Sequence, residues 1–308
     1  MKAVSRRRAI LALRSALPGL TDSGPARWRF SDPKRASLEV AVGLVDDWAL
    51  FAARADGVPF MFRAHGLSPW GMLLWHTEVP PSVRCALSAG SRAFSVRGEL
   101  PVAALDAPSV RCRIEEMCRG FRHIAAKFLP DASQRPAAAC ERPISGSSPR
   151  PAAAAPGPGE EAPGARPDVA SVVRAAGWNF SERASGILAV ELDVPHGVEP
   201  ALVSAAPEGG LSLSVELARF EAIPDACRAA IGIFLLELAD GLRGIRPMVR
   251  EDGGSCAITL AALVPTVHEL HGALAATAVA YRISCEEIRA LRDVSIAKAY
   301  SEARNWSV

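Results

Sequence analysis

The sequence predicts an α+β protein made of two tandem copies of one domain, the first copy shortened. Each copy is an antiparallel sheet packed by helices, in the order α-βββ-α-ββ-α. Three observations lead there. Short matches recur in the same order in both halves of the 308-residue chain, a Pro/Ala-rich segment separates them, and the second half switches between strand and helix periods.

The matches open with "WRFSD" (28–32) and "WNFSE" (178–182), 150 residues apart (178 − 28). Arg35-Ala36-Ser37 then matches Arg183-Ala184-Ser185 at an offset of 148, and Val40, Val42 and Leu44 match Leu188, Val190 and Leu192. At 144, Gly66-Leu67-Ser68 aligns with Gly210-Leu211-Ser212, and "VPPSVRCAL" (79–87) with "IPDACRAAI" (223–231). From Leu100-Pro101 against Val264-Pro265 the offset is 164, so about twenty residues are missing around the first copy's middle helix. Ordered matches of this kind indicate a diverged tandem duplication. The Trp/Phe pairs are expected at equivalent places, where each leading helix meets its first strand.

Residues 131–167 are rich in Pro and Ala and nearly empty of large apolar side chains. Such a segment cannot offset its ordering entropy by burial, which predicts a disordered linker. The domains are therefore expected at 1–130 and 168–308.

In the first copy, Ile10, Leu13 and Leu17 share one face of a leading helix. The middle helix is expected in "PSVRCALSAG", and a final helix carries the stripe Val110, Ile114, Met117, Cys118, Phe121. In the second copy Val169, Val172 and Val173 mark a short helix. Strands follow at about 186–193, 200–206 and 211–220, the last alternating Leu211, Leu213, Val215 with Ser212, Ser214, Glu216. Ile231, Phe234, Leu235 and Leu238 line a helix, and "PMVRE" and "SCAITLAALV" flank a Gly turn as a hairpin. Capping-box spacing at Thr266/Glu269 and Ser284/Glu287 predicts two helix starts, the second an extra C-terminal helix.

A net charge of +2, with aromatic and basic residues not interleaved, gives no basis for nucleic-acid binding. Arg-rich basic content with abundant Ala, Gly and Pro fits a GC-rich bacterial coding sequence. Seven cysteines without a CxxC pair read as small core residues of a reducing, cytoplasmic compartment. "SRRR" near the start faintly resembles an export signal, but Arg14 and Pro18 break the apolar stretch that follows, which favours the helix. No apolar run reaches membrane-spanning length.

Chemical signatures are sparse. "HELHG" (268–272) spaces His268 and His271 three apart, where a zincin helix needs four, and Glu269 fits a helix cap. No phosphate loop or nucleophile elbow occurs, and the six histidines are scattered. No catalytic residue, cofactor or metal is assigned. The alternative is an enzyme whose site assembles from residues distant in sequence.

The stretch from Phe220 to Tyr281, a strand, a Pro-initiated helix, a Gly-turned hairpin and a closing helix, resembles the type III secretion chaperone-like fold (the Tir chaperone type), and especially its YbjN-like branch. The resemblance covers about 168–283 well and 1–130 more weakly. It implies a non-enzymatic, chaperone-like or regulatory module that binds a polypeptide or self-associates, its tandem copies standing in for a dimer. A candidate partner face follows from the 144 offset. Trp70, Met72 and Leu74 fall where the second copy has Ser214, Glu216 and Ala218, which would give one sheet an apolar outer face. A one-residue slip at Pro69 or Gly71 would instead turn these three inward.

Overall fold

The computed structural model describes residues 3–31, 38–45, 47–55, 69–76, 79, 83–88, 94–128, 168–184, 186–194, 197–206, 210–252, 254–264 and 269–304. The first half runs α1 (Ala3–Ala16), β1 (Thr21–Gly24), β2 (Arg27–Ser31), β3 (Leu38–Val45), β4 (Trp48–Ala55), α2 (Pro69–Trp75), β5 (Val83–Leu87), β6 (Phe94–Pro101) and α3 (Ala107–Phe128). The second runs α4 (Val169–Ala175), β7 (Phe180–Ala184), β8 (Ile187–Val194), β9 (Gly197–Ala205), β10 (Leu211–Arg219), α5 (Asp225–Gly241), β11 (Ile245–Asp252), β12 (Ser255–Val264), α6 (Leu270–Ala290) and α7 (Val294–Ala303). The expected linker, 131–167, lies outside the described residues.

The protein is α+β, with two six-stranded antiparallel sheets. Their strand orders are β1-β2-β3-β4-β6-β5 and β7-β8-β9-β10-β12-β11, the same connectivity twice. Four strands, not three, precede each middle helix. The strands missed are β1 and β2 in the first half and β7 in the second; β1 and β7 are almost wholly exposed and so carry no hydrophobic alternation.

The hydrogen-bonded registers give the equivalences directly. Across the first sheet one rung joins Asp22, Trp28, Val42, Phe51, Gly98 and Val83. Across the second the matching rung joins Glu182, Leu188, Val203, Leu213, Ala262 and Ile245. Trp28 therefore sits where Leu188 sits, at an offset of 160 (188 − 28), and Val83 where Ile245 sits, at 162 (245 − 83). This corrects the pairing of "WRFSD" with "WNFSE": Trp28 is on β2, whereas Trp178 precedes β7. Val40, Val42 and Leu44 lie on β3 but were matched to β8, and Val83–Leu87 on β5 were matched to the start of α5; the Leu100/Val264 match at 164 stands in register.

The core lies between each sheet and its flanking helices. Val40, Val42 and Leu44 of β3 and Phe51 of β4 point to the side covered by α1 and α3, and Leu211, Leu213 and Val215 of β10 to the side covered by α4 and α6. Gly254, at φ +88°, turns the β11–β12 hairpin in a conformation that favours glycine. Helix α6 is one continuous helix. Ser284, expected to start a new one, is buried mid-helix with its hydroxyl donating to Ala280 O (2.7 Å). Instead Asp293 caps α7, accepting from Ser295 N (2.8 Å) and Ile296 N (3.2 Å).

Candidate functional site

The densest polar chemistry in the described residues lies where the two halves meet. Helix α5 is apolar on nearly all sides, because it packs on its own β11, on β5 of the other sheet, on α2 and on α7. Its residues Cys227, Ile231, Phe234 and Leu235 join the core of the first half. Reciprocally, α2 packs on β11 of the second sheet. Each middle helix thus covers the edge strand of the other half.

Proline begins α2, where a missing N–H costs nothing. Trp70 then donates through Nε1 to Arg228 O (3.0 Å) and meets Phe220 edge-on at 4.8 Å. Gly232 makes the helix crossing possible: a Cβ there would lie 2.7 Å from Pro69 Cβ and 3.3 Å from Trp70 Cε2. Trp70, Met72 and Leu74 are therefore on a helix rather than a sheet face. Met72 is fully buried and Trp70 packs against the second half, so these two are not free for an outside partner; Leu74 remains 37% exposed. Conversely "VRCAL" (83–87), expected as helix, is strand β5, buried on both faces. A strand covered on both sides loses its period of two and reads like a helix segment.

Arg84 on β5 and Glu99 on β6 form a buried bidentate pair (2.8 and 3.2 Å). Arg84 Nε also donates to Ala239 O (2.7 Å) and Nη2 to Leu242 O, at the end of α5, where orphan carbonyls need donors. Glu99 in turn accepts from Gly244 N (2.6 Å), and Arg97 pairs with Asp240. On the opposite side Arg246 of β11 donates to Val79 O (3.2 Å) and Val83 O (3.0 Å). Burial and the nearby Arg84 pull the Arg246 guanidinium down to about 10, so it stays charged at neutral pH.

His76, immediately after α2, joins the edges of the two sheets. Its Nε2 accepts from Cys85 N (2.6 Å), so Nδ1 carries the proton and donates to Pro247 O (2.6 Å). Cys85 and Pro247 are themselves equivalent, again 162 apart (247 − 85). Burial, then Arg246 and Arg84, lower the His76 pKa to about 3, which keeps the ring neutral. Burial pushes the Cys85 thiol up, so it is held as the unreactive acid form.

Of the "HELHG" pair, His271 accepts from Trp178 Nε1 (3.2 Å) through Nδ1, and His268 lies outside the described residues. Among the described residues no group of three or more His, Cys, Asp or Glu could hold a metal ion. No described helix is long and apolar enough to cross a membrane. Sequence reading missed Arg84, Glu99, Arg246 and His76. The signal lies in Val83-Arg84 against Ile245-Arg246, at an offset of 162 (245 − 83). Compared with known protein families and with characterised proteins, the chain matches none.

Proposed function

We propose that the chain is a non-enzymatic polypeptide-binding module, chaperone-like or regulatory, whose two halves arose by tandem duplication and act as an intramolecular pseudo-dimer. The reciprocal cover of β11 by α2 and β5 by α5 carries this reading. It has the form of an isologous two-fold contact, in which each partner gives and receives the same element. The likeness of the second half to secretion chaperones of the YbjN-like branch fits the same view, as does a cytoplasmic setting for its free cysteines. The polar groups at the junction are engaged in holding the halves together: His76 uses both ring nitrogens, and Glu99 holds Arg84 and Gly244 N.

The test is affinity capture from the native host followed by reconstitution with the purified partner. A polypeptide that rebinds stoichiometrically and leaves unaltered supports the reading. A stoichiometric small molecule or metal, or chemical conversion of what is bound, would sink it in favour of an enzyme.

A further inference from the structure

We propose that α7 fills, in the free chain, a groove on α5 where the polypeptide partner docks a helix of its own. The assignment rests on the polypeptide-binding reading and names the docking surface and the partner's chemistry. Helix α7 lies beyond the duplicated unit. The offset of 164 that aligns Leu100 with Val264 also aligns α3 (Ala107–Phe128) with residues 271–292, so α7 has no counterpart among the described residues of the first half. Its packing is on α5, the helix that joins the two halves.

Three observations mark α7 as a replaceable cover. First, it turns its small side chains to the body. Ala297 and Ser301 are buried, while Val294 and Ile296 stay 53% and 47% exposed. A helix retained for burial alone would place its aliphatic residues inward. Second, the buried Ser301 Oγ has no hydrogen-bond partner among the described residues, a cost of seating α7 that release removes. Third, a turn that can act as a hinge precedes it. Leu291 is fully buried and Arg292 O accepts from Cys227 Sγ (3.4 Å), which fixes the end of α6, whereas Asp293 already leaves the helical conformation (ψ 122°). Helix α6 can therefore stay in place while α7 lifts.

The seated helix states what fits the groove. Arg292 meets Cys227 and Arg304 meets Glu237, so α7 runs alongside α5 in the same direction. Between these contacts the same face of α5 carries Ala230 and Phe234, in one core cluster with Ala297 and Tyr300. At the far end Glu237 accepts from Tyr300 Oη and from both Arg304 nitrogens, and the Arg304 guanidinium lies 3.5 Å from the Tyr300 ring centre. The partner is thus an amphipathic helix with small residues four apart, which permit close approach, and an arginine three residues after the second. The arginine supplies the bidentate contact that Glu237 accepts.

The experiment uses the full chain carrying Ala297→Glu and Ser301→Glu, which sets two carboxylates at the α5 contact and unseats α7 while leaving α5 unaltered. The probe is a labelled synthetic peptide of residues 291–304, followed by fluorescence anisotropy. It should bind this variant at least about tenfold tighter than the native chain, where the resident α7 competes. Adding Glu237→Ala should weaken that binding at least about tenfold. Equal affinity for both chains, no binding to the variant, or indifference to Glu237→Ala overturns the assignment. Loss of the variant's cooperative unfolding transition also overturns it, since α7 would then be integral to the fold. A dimer of the native chain that the peptide dissociates, seen by sedimentation velocity, would give the groove to a second copy instead. If the native partner binds the variant unchanged in saturating peptide, the groove is refuted while the module reading stands.

Discussion

Arg84 and Arg246 occupy the same place in the two sheets, one residue after the equivalent Val83 and Ile245, and each reaches into the opposite half. Arg84 bonds the carbonyls that end α5; Arg246 bonds Val79 O and Val83 O beyond α2. Arg84 also holds a carboxylate of its own sheet, Glu99.

Arg84→Met should be costly, since it leaves Glu99 buried without its cation, a loss of about 3–5 kcal/mol. Adding Glu99→Leu should restore part of it. Chemical denaturation of the native chain and the two variants checks this, and equal stability of single and double variants would contradict it.

Acid should weaken the junction through His76. In the unfolded chain the ring takes up its proton near 6.5, but in the folded protein only near 3. Between those values the unfolded state holds the extra proton. Stability from His76 is thus fully present above 6.5 and falls as pH drops through the window, by at most about 1.4 kcal/mol per pH unit. Denaturation of His76→Gln against the native chain across this range should show the difference in slope.

Gly232→Ala raises intrinsic helix propensity by about 1 kcal/mol, yet it should destabilise. The new methyl group would meet Pro69 Cβ at 2.7 Å, and both belong to packed helices with little room to yield. A net loss of about 1–3 kcal/mol is expected on thermal denaturation.

Helix α7 is tied to α5 by Glu237, which accepts from Tyr300 Oη (2.7 Å) and from Arg304 Nε and Nη2 (2.7 and 2.8 Å). Glu237→Ala should raise hydrogen exchange across Val294–Ala303 while leaving β10 and β12 protected. Uniform loss of protection would mean that α7 is part of the global unfolding unit.

The parts of the fold legible in sequence were those with one wet and one dry face. Strand β10 alternates Leu211, Leu213 and Val215 with polar residues, and α3 carries a single stripe, so each was read with its right type. Legibility failed where burial was two-sided or absent. β5 is covered above and below and reads like helix, while β1 and β7 bury almost nothing and leave no pattern. Met72 and Trp70 form a run too short to separate helix from strand. The junction was hidden for a different reason: Arg84, Glu99 and Arg246 look like ordinary surface charges until the other half closes over them.

Joining the halves in one chain also changes what a single substitution does. In a homodimer built on the same exchange, every altered residue would occur twice, once on each side of the axis, and its cost would be doubled. Here α2 can be seven residues long while its counterpart α5 keeps seventeen. A covalent pair can specialise one side at a time.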